Sequence, residues 1–155
     1  MRVYNGIYLS LSKLRREDAA AAAFRDLVDY GLRNRRLAVK FLFRPGSVRF
    51  VGDTRLSAHY GMWLQQIAAI VAADQACLQI SGHTSPTGPA ALNDNLSFLR
   101  AEYVQSQLES EEPRLKKRTV AAGMGSRENL IGTGRDDATD VLDRRVELKP
   151  IEHCS

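Results

Sequence analysis

Residues 82–101 read GHTSPTGPAALNDNLSFLRA, and they gather polar side chains of several kinds around one short loop. A strand-like run, 77–81, ends in Gly82-His83-Thr84-Ser85. Pro86, Gly88 and Pro89 then forbid regular structure, and a helix brings Arg100 back towards the loop. A strand end, a bend and a helix start collect backbone N–H groups at one point, where the local field favours an anion. Arg100 sits two turns into the helix, and its planar guanidinium suits a carboxylate. These residue types suit the holding of a small carboxylate-bearing group. His83 with Ser85 and Asp94 could suggest a triad, but there is no Gly-x-Ser-x-Gly elbow, and a histidine that ends a strand more often packs and hydrogen-bonds. Catalysis is therefore not expected. Asp94 reads first as a helix N-cap, and the pair Asp136-Asp137 as solvated loop.

The elements that must position this loop follow from periodicity. Ala19–Ala23 with Phe24, Leu27, Val28 and Leu32 predict one helix from about Ser12 to Asn34. From Leu37 the period becomes two, with Leu37, Val39, Phe41 and Phe43 alternating against Ala38, Lys40, Leu42 and Arg44 until Pro45-Gly46, a first strand. Tyr60, Trp63, Leu64, Ile67, Ile70 and Val71 mark a helix over about 57–73. After the strand at 77–81, Asn93 or Asp94 is expected to cap a helix carrying Leu96, Leu99, Tyr103, Val104 and Leu108, closed by Pro113. Strand 118–122, a glycine-rich loop, a helical turn at 139–143 and a last strand at 145–151 complete the chain. The order β-α-β-α-β-(α)-β predicts an α/β (α+β) sandwich: a mixed four-stranded sheet with helices mainly on one face, plus the N-terminal helix. The expected division is a helical extension, 1–34, and a domain, 35–155.

Composition narrows the function classes. With 155 residues, 44% of them hydrophobic, the chain can bury one core. Its net charge of +4 and pI near 9.3 come from scattered arginines, with no aromatics interleaved among them, so no nucleic-acid partner is expected. No run approaches the roughly 18 apolar residues of a membrane span, and 1–18 lacks the order of a signal peptide. GMGSRENLIGTG, 123–134, matches neither phosphate-loop pattern. Cys77 and Cys154 have no metal-ligand spacing, so no metal or cofactor is expected. They read as two thiols, one buried and one exposed, or as a single disulfide.

Three segments carry a resemblance. Gly82, His83, Thr84, Gly88, Asn93, Leu96, Ser97, Arg100 and Ala101 match, in order, the signature of the OmpA-like C-terminal (OmpA/Pal/MotB) peptidoglycan-binding domain family. GMG at 123–125 and DRRVEL at 143–148 resemble its later motifs. Together they cover about 37–151. The resemblance implies a non-enzymatic module of the periplasmic cell envelope that anchors to peptidoglycan by holding the diaminopimelate of the stem peptide. Thr84, Ser85, Asn93, Leu96, Arg100 and Arg144 would be its ligand-binding residues. Arg100 matches the arginine that grips the carboxylate, but Ser85 stands where the family has the aspartate that holds the ammonium. Asp94, Asp136 and Asp137 are the candidate compensating acids. Two rivals remain: an OmpA-like domain that has lost peptidoglycan binding and serves as a protein-interaction module in an envelope complex, and a small-molecule enzyme on a related sandwich. By the same resemblance the last strand lies antiparallel to the second, which implies a Cys77–Cys154 disulfide. The stripe of the N-terminal helix is too apolar to stay in water, so it should dock on the domain, on a second copy as a homodimer, or on a partner in an envelope complex.

Overall fold

Four strands pair into one mixed sheet, in an order the chain cannot reach without crossovers. The computed structural model describes residues 2–14, 16–37, 39–52 and 57–154. The strands are β1 (Lys40–Leu42), β2 (Cys77–Gly82), β3 (Thr119–Gly123) and β4 (Arg145–Ile151); the helices are α1 (Arg2–Lys13), α2 (Glu17–Arg33), α3 (Tyr60–Asp74) and α4 (Ala90–Glu111). Short 3₁₀ turns cover Ser57–His59, Pro113–Leu115 and Ala138–Leu142. The sheet order is β1-β4-β2-β3. β4 runs antiparallel between β1 and β2, and β2 pairs in parallel with β3, as a helical crossover requires. Leu78 and Ile80 of β2, Val146 and Leu148 of β4, and Phe41 of β1 are buried, while the alternating Gln79, Ser81, Lys40, Glu147 and Lys149 are not. β1, β2 and β4 thus each send an apolar row towards the helices. The disulfide joins Cys77, opposite Ile151 at the start of β2, to Cys154, with the two Cα atoms 5.4 Å apart.

Several expected boundaries shift, each for a local reason. The single helix expected over 12–34 is two helices, α1 and α2. Basic Lys13 closes the first, and acidic Glu17 and Asp18 open the second, so charge matches the helix dipole at both ends. Arg15 lies outside the described residues, as does Ala38 of the expected first strand. That strand shortens to three residues, Lys40–Leu42; beyond it Phe43 N–H still donates to the Arg144 carbonyl at 2.8 Å, while Phe43 also bridges Phe50. α4 starts at Ala90 with extended Pro89 as N-cap, so neither Asn93 nor Asp94 caps it. Its buried face is Asn93, Ser97, Arg100, Ala101, Val104 and Leu108, and Leu99 is 41% exposed. The half of α4 over the loop buries polar groups, which the apolar period cannot reveal.

The N-terminal helices dock on α3 through aromatic rings. Phe24 stacks on Trp63 with centroids 5.3 Å apart and planes 7° from parallel, and the Trp63 indole N–H donates to the Tyr8 hydroxyl at 2.7 Å. On its other side Trp63 meets Tyr60 and Phe41. One continuous core therefore runs from α1 to the sheet.

Candidate functional site

The loop after β2 is held by close backbone approach. A Cβ on Gly82 would run into the Ser97 carbonyl, and one on Gly123, its partner across β2 and β3, would lie 2.8 Å from the Asp94 carbonyl oxygen and the Ser97 hydroxyl. The two glycines let α4 settle onto the strand ends. Ser97 Oγ then donates to the Asp94 carbonyl at 2.8 Å and accepts from the Gly125 N–H at 2.9 Å, joining helix to glycine-rich loop. Thr84 N–H donates to the Gly125 carbonyl, and the Asn93 amide donates back to the Thr87 carbonyl at 2.9 Å. Leu96 lies half-buried between Asn93 and Arg100 on the same helical face.

Arg100 is fully buried. Its Nε donates to the Ser47 carbonyl, Nη1 to the His83 carbonyl and Nη2 to the Arg44 carbonyl, each at 2.9 Å, and its Cζ stands 5.3 Å from the centroid of the Phe43 ring. Burial, then the neighbouring Arg144, lowers its pKa to about 10, so it stays charged at neutral pH. Arg144 is also buried. Its Nε donates to the Phe43 carbonyl at 3.2 Å and its Nη2 to the Asp137 carbonyl at 3.0 Å.

A carboxylate does stand beside position 85. Ser85 Oγ donates to Asp136 Oδ1 at 2.6 Å, and Arg144 Nη1 reaches the same oxygen at 2.8 Å. Asp136 has φ +55, a conformation costly for a non-glycine residue, and it is held there from beneath. Asp140 Oδ2 accepts the N–H groups of Arg135 and Asp136, while its Oδ1 accepts from Thr133. Asp143 takes the N–H groups of Leu130, Ile131 and Gly132. The Thr133 hydroxyl holds Asp140 below the usual carboxylate range; burial opposes ionisation of Asp143, but its three N–H donors outweigh it. These two buried acids shape the loop that presents Asp136. Neither was a candidate site residue from the sequence: Asp143 was noted as the first residue of the DRRVEL motif, and Asp140 was signalled only by the density of aspartates after the glycines. The other two candidates are engaged elsewhere. Asp94 pairs with Arg127 at 2.6 Å, and Asp137 accepts from Thr139 N–H as the cap of the short turn. Thr84 Oγ1 is buried with no hydrogen-bond partner.

An open mixed sheet with helices on one face and a charged loop site beyond its second strand defines a small α/β sandwich. The chain belongs to the OmpA family, whose model matches residues 50–141. Among solved structures it is similar to the peptidoglycan-associated lipoprotein from Burkholderia pseudomallei, with 24% identity, a TM-score of 0.62 and coverage of 72% of this chain and 89% of that one. It is also similar to the cell wall anchor of the T6SS from Pseudomonas aeruginosa, with 19% identity, a TM-score of 0.56 and coverage of 84% and 97%. The C-terminal domain of Helicobacter pylori MotB follows, with 18% identity, a TM-score of 0.58 and coverage of 74% and 85%. At these identities the likeness is one of fold. A search of curated proteins returned no match.

Proposed function

We propose that this chain is a non-catalytic, periplasmic module of the cell envelope that holds peptidoglycan non-covalently through the diaminopimelate of its stem peptide. Family membership supports the cell-wall role, as do the names of two neighbours, a peptidoglycan-associated lipoprotein and a cell wall anchor. The observation that carries the finer reading is Asp136 beside Ser85. The ammonium partner absent from position 85 is supplied by the late loop, with Ser85 orienting it. Thr84 Oγ1, unpartnered, offers the ligand one more hydrogen bond. The ligand carboxylate displaces the Ser47 and Arg44 carbonyls from Arg100, exchanging neutral acceptors for a charged one. In this reading 35–155 is the binding domain and 1–34 an extension seated on it.

Retention on insoluble peptidoglycan at low salt, abolished by excess free diaminopimelate, is the expected result. No retention overturns the proposal. A second reading, a protein-interaction module that has lost peptidoglycan binding, draws on one observation: Arg100 already has a backbone acceptor at each of its three nitrogens. It predicts that the chain stays in the supernatant while Arg100→Ala loses thermal stability.

A further inference from the structure

The sheet face away from the helices carries a half-open cleft of about 630 Å³. Its lining includes Gln79 and Ser81 of β2 and His83 just beyond its end, with Arg36, Glu128 and Lys149 at its walls. A solvated sheet face usually needs no ligand to explain its polar residues. His83 is the exception, because it is 1% exposed and neither ring nitrogen has a hydrogen-bond partner. A buried polar ring left unpaired lowers stability without an internal return. Glu128 Oε2 stands 3.9 Å from Nδ1, too far for a hydrogen bond, and a ligand hydroxyl reaches the buried nitrogen once the exposed Glu128 side chain swings aside. Burial, then Arg145, lowers the His83 pKa to about 4, so at neutral pH one nitrogen donates and the other accepts. Ser81 and Gln79 offer the same mixture of donor and acceptor beside it. Of the cations, Lys40 is engaged by Glu147 and Arg35 by Glu152, whereas Arg36 and Lys149 have no side-chain partner among the described residues.

We propose that this cleft is a second ligand site, which takes a small hydroxylated carboxylate of the sugar-acid class. His83, Glu128 and Ser81 hold its hydroxyls, and Arg36 and Lys149 hold its carboxylate. The site is separate from the loop site, because Gln79, Ser81, Glu147 and Lys149 of its lining lie on the sheet face turned away from the helices, whereas Arg100 projects from the buried face of α4.

The test follows the three histidine rings by long-range proton–nitrogen NMR as gluconate is added to the whole chain. The His83 ring signals are expected to shift and saturate with a dissociation constant of about 1 mM or tighter. Hexanoate, which lacks the hydroxyls, and sorbitol, which lacks the carboxylate, should bind at least about tenfold more weakly, as should gluconate to the Arg36→Glu/Lys149→Glu variant. Still His83 signals overturn the proposal, and so does an equal response to hexanoate, or to gluconate in that variant. Displacement of gluconate by diaminopimelate would show a single shared site and also overturn it, whatever the outcome on peptidoglycan.

Discussion

Ser85→Asp restores the residue the family carries, yet it is expected to weaken diaminopimelate binding. Ser85 Oγ is 2.6 Å from Asp136 Oδ1, so a carboxylate at position 85 comes within about 4 Å of the one at 136. Two such charges repel by about 4 kcal/mol at an effective dielectric of about 20. Arg144, 2.8 Å from Asp136, offsets part of this, leaving about 2 kcal/mol. That remainder raises the pKa of one carboxyl group or pushes the loop aside. Asp136→Asn alone removes the charged partner of the ammonium and should lose about 1–2 kcal/mol of binding, roughly five- to thirtyfold. Combined, the two substitutions place one carboxylate at position 85 and should return affinity close to that of the unaltered chain. Calorimetry with diaminopimelate on the four proteins yields the coupling, expected at about 2 kcal/mol or more. If Ser85→Asp alone tightens binding, or the two effects add within about 0.5 kcal/mol, Asp136 is not the acid and the assignment fails.

Three further outcomes test the scaffold. Phe24→Ala removes the ring stacked on Trp63 and should cost about 3–5 kcal/mol, with a red shift in the emission of the chain's one tryptophan; unchanged emission would mean that α2 is not seated on α3. Cys154→Ser opens a loop spanning 77 positions and should lower stability by about 2–4 kcal/mol in oxidising buffer, and by nothing beyond that when reductant is added. His83 has a folded pKa near 4 against an ordinary 6.5, so the unfolded chain binds the extra proton between those values. Stability is therefore expected to be fully present above pH 6.5 and to fall as pH drops towards 4; a flat denaturant midpoint across that window would contradict the burial of the ring.

Regular periods made most of the fold legible from sequence. β4, at Arg145–Ile151, has the bounds the alternation implies, β2 runs one residue further than expected, and β3 is shifted by one residue at both ends. What escaped lies where side-chain pairing overrides pattern. The break between α1 and α2 is carried by Lys13 against Glu17 and Asp18, a charge reversal that a stripe of apolar residues does not register. The front of α4 has Asn93, Ser97 and Arg100 on its buried face, so an apolar count placed Leu99 inside when it lies outside. The resemblance implied an acid missing at Ser85, but three aspartates were open candidates. Only the fold shows Asp94 taken by Arg127, Asp137 by Thr139, and Asp136 left facing Ser85.

The place of β4 in the sheet also sets an order of events in time. It is the last strand among the described residues, yet it lies between β1 and β2, and among those residues β1 pairs with no other named strand: Phe41 pairs with Val146. A chain that emerges from its N-terminal end can join β2 to β3 early, but β1 waits until residues 145–151 appear. Such distant pairing is slow, because about two thirds of the chain must be looped before the contact forms. Until then β1 and one side of β2 are open edges able to pair with another molecule. The covalent link at Cys154, three residues beyond β4, can close only once the whole of that strand has been made.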